Sequence, residues 1–332
     1  MEFPEPLPPL NPQDPWTPAR RPTMYFIGVT THQSSIMRIF PRWAAVLGLG
    51  DAELRGINFP LHDRPDHYRR VVQSIKDDPL ACGALVTTHK LDVLAASRDL
   101  FEELDEFAAL MHEVSSIAKR GSRLVGHAKD AVNSGLAVDS IVGAGYWERT
   151  RAAAFVCGAG GASVALTWYL LHPGHGANRP SRLLITDRDD QRLAAIRRVH
   201  QQAFAAASAE LPQVEYHRVA DADDTDRLLA SCPARTLVVN ATGLGKDAPG
   251  SPLSDAALFP HESIAWDFNY RGDLVFLDQA SRQQQARSLR VVDGWEYFLH
   301  GWTSVIAEVF ERPIPTSGPL FEELAQIAAE WR

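Results

Sequence analysis

The stretch that constrains this chain most is FVCGAGGASVAL, residues 155–166. An apolar run ends near Val156. Gly158, Gly160 and Gly161 follow within five positions, and small residues then lead into a helical pattern. Strand, tight turn, helix is the context in which a dinucleotide-binding turn works. Gly158 permits the turn, Gly160 lets a pyrophosphate approach the backbone, and the helix N-terminus offers unpaired N–H groups to the phosphates. The third glycine position of that motif is taken by Ser163, small but not glycine. Asp187 ends the next apolar run, in LLITDRDDQR. An acid there accepts hydrogen bonds from an adenosine ribose; its alternative task is to cap the helix beginning near Asp189.

The remainder alternates in the same way. MYFIGV (24–29), ELRGINF (53–59) and GALVTT (83–88) each precede apolar residues spaced by three and four, as in SSIMRIFPRWAAVLGL and FEELDEFAALMHEV. SSIAKR and SRLVGH flank Gly121 and read as a hairpin. After YWERTRA a second series begins, with a long helix predicted over 189–209. Such alternation predicts an α/β protein with parallel sheets and helices on both faces. The break near residue 145 divides it into two lobes. The first spans 23–135, with the helices of 294–332 folding back on it. The second, a doubly wound nucleotide lobe of Rossmann type, spans 136–293. A cleft between two lobes is where a ligand is expected. Residues 1–22, rich in proline, read as an extended arm.

Charge and composition narrow the partners. The 332 residues carry 33 Lys and Arg against 41 Asp and Glu, a net charge of −8 with no basic block, so nucleic acid is not an expected partner. No apolar run approaches the ~18–20 residues of a membrane helix. Cys82, Cys157 and Cys232 lie far apart and read as free thiols in a reducing compartment, which points to the cytoplasm. His62 and His67 fall in a polar loop, His172 and His175 in a Pro-Gly turn, and DADDTD (221–226) lacks the glycine and closing glutamate of a calcium loop. No metal site is expected.

A nicotinamide cofactor in the second lobe requires a proton handler in the first, because an alcohol that gives up hydride also gives up a proton. Lys90, in GALVTTHK, closes a strand and opens a helix. Asp130, in LVGHAKD, follows a second strand, and a carboxylate there can orient the lysine. His32 and Gln33 lie in the first loop and are candidates to face substrate.

Seven stretches in order, from about residue 25 to 310, make the chain resemble the shikimate/quinate dehydrogenase family. They are GVTTHQSSIM (28–37), LVTTHK (85–90), GHAKD (126–130), the intact GAGGA (158–162), NATGLG (240–245), DFNY (267–270) and GWEYFLHGW (294–302). The resemblance implies a substrate lobe followed by a Rossmann lobe. It also implies Lys90 and Asp130 as the catalytic pair, Ser34, Thr87 and Ser115 at the substrate, and Tyr270 near the nicotinamide. Gly158, Ala159, Gly160, Gly161, Ala162, Asn240, Thr242 and Gly243 fall at the cofactor, with Asp187 and Arg188 choosing between NAD and NADP. The departures lie among the polar groups that read substrate in the family: Ile36, Leu85, Ser115, Ala128 and Gly301 replace a serine, three asparagines and a glutamine.

The expected activity is an NAD(P)-dependent interconversion of a ring hydroxyl and a ketone on shikimate, quinate or a related alicyclic acid, with NAD favoured over NADP. A different cyclitol or aminocyclitol, or a nucleotide-binding regulator without turnover, are the alternatives. A monomer or homodimer is expected.

Overall fold

The computed structural model describes residues 7–205, 211–246 and 248–332. The chain divides into two compact units, Met1–Lys129 with Leu299–Arg332, and Asp130–Phe298.

In the first unit six strands form one sheet: β1 (Thr23–Gly28), β2 (Glu53–Asn58), β3 (Ala81–Val86), β4 (Glu103–Leu104), β5 (Ser116–Arg120) and β6 (Arg123–His127), in the order β2-β1-β3-β5-β6-β4. β1 runs parallel to β2 and β3, while β5 is antiparallel to both β3 and β6. β1, β3 and β6 therefore end at the same edge of the sheet. The helices are α1 (Ile36–Leu47), α2 (Pro65–Asp77), α3 (Lys90–Ser97) and α4 (Glu106–Met111). The run FEELDEFAALMHEV was expected as a single helix. Its first part is instead β4, and α4 starts only after Asp105, whose carboxylate accepts the Ala108 N–H at 2.7 Å as an N-cap.

The second unit opens with α5 (Asp130–Val142) and α6 (Tyr146–Thr150). The expected boundary at residue 135 lies inside α5, which packs on α7 (Gly161–Leu171) of the same unit. Gly135 makes that packing close, because a Cβ there would stand 2.3 Å from the Tyr169 ring. The strands are β7 (Ala154–Cys157), β8 (Arg182–Asp187), β9 (Gln213–Arg218), β10 (Leu237–Asn240), β11 (Ile264–Asp267) and β12 (Arg290–Val292). All neighbours are parallel, in the order β12-β11-β10-β7-β8-β9. That is the doubly wound order, with its direction of winding reversed between β7 and β10, where ligands bind in such sheets. Between the strands lie α8 (Asp190–Phe204), α9 (Ala222–Leu229), α10 (Val275–Ser281) and α11 (Gln284–Arg287). Of the helix predicted to 209, the part over 206–210 lies outside the described residues. The chain closes with α12 (Trp295–Val309), inside which the unit boundary falls, and α13 (Pro319–Ala329).

Residues 7–22 form no regular helix or strand, yet they are bound to the first sheet. Leu10 exchanges backbone hydrogen bonds with Gly56 and Asn58 at 2.8 and 3.1 Å. Trp16 lies on Tyr25 with centroids 5.0 Å apart and donates its indole N–H to Asp78 at 3.2 Å.

Candidate functional site

The glycine turn sits at the reversal of the second sheet. β7 ends at Cys157, and Gly158 then takes φ +99, a backbone conformation that glycine adopts without penalty. A Cβ at Gly158 would meet the Ala241 carbonyl oxygen at 2.8 Å, so the turn after β7 lies directly against the turn after β10. Gly160 differs: it has φ −80, and nothing lies within 4 Å of where its Cβ would be. It precedes α7, whose N-terminus has no side-chain cap and begins with Gly161 and Ala162. Open space above uncapped N–H groups is what a phosphate needs.

Asp187 has two backbone tasks. One carboxylate oxygen accepts the Ala159 N–H at 2.7 Å, and the other accepts the Asp189 N–H at 2.9 Å. It thereby ties the end of β8 to the glycine turn, while the cap of α8 is Asp189, which accepts from Gln191 N–H. On the β10 side Asn240 is fully buried. Its Oδ1 accepts the Thr242 hydroxyl at 2.6 Å and its Nδ2 donates to Leu244 O and to Asp267. Gly243 turns the loop at φ +77. Asp267, at the end of β11, also accepts the Asn269 N–H at 2.8 Å. Burial pushes its carboxyl up to about 6, against the pull of those hydrogen bonds.

These turns enclose a pocket of about 400 Å³ lined by Gly158, Gly160, Asp187, Arg188, Arg192 and Thr242, among others. Arg192 was not singled out from the sequence. Its only signal is its place in the first turn of the helix after β8. Tyr270, half-buried, packs edge-on against Trp295 at 5.4 Å and tilted against Phe298 at 4.7 Å.

In the first unit the candidates gather where β1, β3 and β6 end. A Cβ on Gly28 would stand 3.0 Å from Thr87 Cγ2 and 3.2 Å from Thr31 Cγ2, so the turns after β1 and β3 touch. Thr31–Gln33 form a short 3-10 turn held by Asn58, whose Oδ1 accepts both the Thr31 N–H and its hydroxyl. That turn leaves His32 and Gln33 exposed and Ser34 buried. Thr87 donates its N–H to Ile27 O, and Lys90 opens α3. Ser115 is buried, and its hydroxyl accepts the Lys129 N–H at 2.8 Å, so it holds the turn after β6. The Lys129 ammonium reaches Glu308 at 2.7 Å. Asp130 is buried at the start of α5, in the second unit. Ile36, Leu85 and Ala128 are buried, whereas a Cβ on Gly301 would meet nothing within 4 Å.

A shikimate dehydrogenase (NADP(+)) of Paramagnetospirillum magneticum is 26% identical over 275 residues, 82% of this chain and 87% of its own length. The chain is similar to shikimate dehydrogenases. No protein-family model matches it. Among solved structures, shikimate 5-dehydrogenase from Listeria monocytogenes, in complex with shikimate and NAD, superposes with a TM-score of 0.67 at 16% identity, over 95% of this chain and 99% of the other. Quinate dehydrogenase from Corynebacterium glutamicum, in complex with NAD, gives 0.65 at 18% identity, over 93% and 99%. The fold is the one these dehydrogenases share, and the resemblance and fold class expected from the sequence both hold. Among the described residues no helix is long and apolar enough to cross a membrane.

Proposed function

We propose that this chain is an NAD(P)-dependent oxidoreductase that interconverts a ring hydroxyl and a ketone on shikimate, quinate or a related alicyclic acid. The observation that carries this reading is the Gly158–Gly161 turn, which at Gly160 faces open space at the reversal of the second sheet. A dinucleotide fits it: the space over Gly160 is empty of protein, and the pocket offers Asp187, Arg188, Arg192 and Thr242 to a ribose and its phosphates. The cofactor, when bound, supplies the hydride acceptor or donor.

The chain's own residues do the rest. Asp187 and Asn240 hold the two turns that receive the dinucleotide. Lys90 takes or returns the hydroxyl proton, and Asp130 keeps that lysine oriented and its charge set. His32, Gln33, Ser34 and Thr87 are the polar groups offered to substrate, with Tyr270 toward the nicotinamide. Ser115 contributes by fixing the turn that leads to Asp130. Asp187 disfavours a 2′-phosphate and Arg188 with Arg192 attract one; we read NAD as favoured and NADP as accepted.

The open space beside Gly301, and the absence of polar groups at Ile36, Leu85 and Ala128, favour a less hydroxylated or bulkier ring over shikimate itself. A buried substrate hydroxyl left without a partner costs roughly 1–3 kcal/mol. The test is absorbance of the reduced cofactor, with NAD and NADP in turn, over shikimate, quinate and their deoxy, amino and ring-substituted analogues. Turnover of at least one ring alcohol is expected, with shikimate poor. No turnover across the panel leaves a nucleotide-binding regulator in its place. Shikimate as the best substrate defeats the argument from the altered positions.

A further inference from the structure

Lys90 follows an unusual piece of backbone. Thr88 has φ +62, a region that a β-branched residue rarely enters. The His89 N–H returns to the Thr87 carbonyl at 2.6 Å. A hydrogen bond across three residues with a positive central φ describes a γ-turn of the strained kind. Something outside the turn must hold it, because its own sequence does not favour it.

His89 is the residue placed to do so. It is 1% exposed and lies against Phe59 and Tyr68, with centroid distances of 5.7 and 5.5 Å. Phe59 and Tyr68 themselves stack at 4.5 Å. The His89 Nδ1 and the Tyr68 hydroxyl are 3.0 Å apart. The Tyr68 oxygen already accepts the Asp63 N–H at 3.2 Å, so its own proton is available to His89. With that proton directed at it, Nδ1 is the acceptor and the neutral ring carries its proton on Nε2. The ring also interacts with the Phe59 backbone, which favours its protonated form, although Nε2 makes no hydrogen bond of ordinary geometry. Of the two ring nitrogens, Nδ1 makes the anchoring bond.

We propose that His89, bonded through Nδ1 to the Tyr68 hydroxyl and walled in by Phe59, is a positioning residue that holds the Thr87–Lys90 turn and so fixes where the Lys90 ammonium stands. The proposal rests on the reading of Lys90 as the proton handler. His89 itself touches no reacting atom in this scheme. Burial keeps its ring below the usual histidine range and thus neutral, among the charged and titratable groups that face it: Asp92, His62, Asp63 and Tyr68.

The test uses His89→Phe and Tyr68→Phe, each of which keeps an aromatic ring and removes one half of the bond, alone and together with Thr88→Gly. Glycine adopts the positive φ freely, so a turn containing it no longer needs the clamp. Two readouts are taken: kcat and KM for shikimate with NAD and with NADP, and the rate at which Lys90 is acetylated by acetic anhydride, followed by peptide mass spectrometry. The second needs no substrate. Each phenylalanine variant should change the Lys90 acetylation rate at least 3-fold, with the other lysines unchanged. Each should lower kcat about 10-fold to 100-fold with KM nearly constant. The double variant should lose no more than either alone. Adding Thr88→Gly should restore most of both. Wild-type acetylation in folded His89→Phe and Tyr68→Phe overturns the proposal, as does a loss that Thr88→Gly leaves untouched, since that loss would be structural. If Lys90→Ala keeps its turnover while the acetylation results stand, the clamp survives and the role given to Lys90 falls.

Discussion

Two charged side chains make separable demands on solution behaviour. Lys90 stands in the unit that does not hold the Gly158–Gly161 turn. Lys90→Ala should therefore lower turnover about 10²–10⁴-fold, the range of a general acid–base group, and leave cofactor dissociation constants within twofold. Steady-state rates and fluorescence titration with NADH check both halves. Asp267 carries a different consequence. Its carboxyl is raised from the ordinary range to about 6 by burial. Between about pH 4 and pH 6 the folded protein therefore holds a proton that the unfolded chain has released. Stability should fall with rising pH across that window and stay level above it, a total on the order of 3 kcal/mol from this group. Asp267→Asn should remove that slope. Urea unfolding of both proteins from pH 4 to 8 gives the difference, and parallel curves would mean that Asp267 ionises as an ordinary surface acid does.

A turn shows what a strand and a helix ask of the residues between them. Gly158 and Gly160 look alike in the sequence and differ in the fold. Gly158 needs its positive φ and faces the Ala241 carbonyl oxygen, whereas Gly160 has ordinary φ and faces nothing of the protein. Gly158→Ala should destabilise by about 2–4 kcal/mol, from backbone strain and a clash that backbone atoms cannot relieve. Gly160→Ala should melt within about a degree of wild type and yet bind NAD(H) and NADP(H) at least 10-fold more weakly, because its methyl group enters the space a pyrophosphate needs. Thermal melts with matched binding titrations separate the two. A stable Gly158→Ala protein, or undiminished binding in Gly160→Ala, would contradict this division. The strand–turn–helix order was legible because a short continuous apolar run, AFVC, breaks at a cluster of glycines and is followed by a longer run of small and apolar residues. The different tasks of the two glycines were not, since neither φ nor the approach of Ala241, 83 positions away by sequence number, is written in a local pattern.

At the scale of the molecule, the arm and the returning helices decide what counts as one folding unit. Asp78 is buried and accepts the Trp16 indole, the Ala19 N–H and the Leu80 N–H. Asp78→Ala should destabilise the first unit by about 3 kcal/mol, because three donors lose their acceptor. It should also expose the arm to trypsin after Arg20, which limited digestion would reveal; unchanged digestion would mean that Leu10 and the stacked Trp16 hold the arm alone. The two sheets, the hairpin and the glycine turn could be read from the sequence because each rests on local periodicity or turn chemistry. The hold of the arm on Asp78, the γ-turn at Thr88 and the tie from Asp187 to Ala159 could not, since each joins residues distant in sequence or depends on a φ that the local pattern does not favour.

The first unit is discontinuous, made of Met1–Lys129 and Leu299–Arg332, while the second is one uninterrupted run. A ribosome delivers the chain from its N-terminus, at about 5–20 residues per second. The continuous unit thus leaves the exit tunnel whole while its neighbour still lacks most of α12 and all of α13. Trp43, which donates its indole N–H to Leu324 O at 2.8 Å, must wait for a partner made some 280 codons later. The first sheet is synthesised first and completed last, and the apolar faces of α1 await cover through nearly the whole of translation. A truncated chain that ends at residue 298 and is released from the ribosome should resist protease over 130–298 and remain sensitive within 23–129, and it is in that interval that a chaperone would find the most to hold.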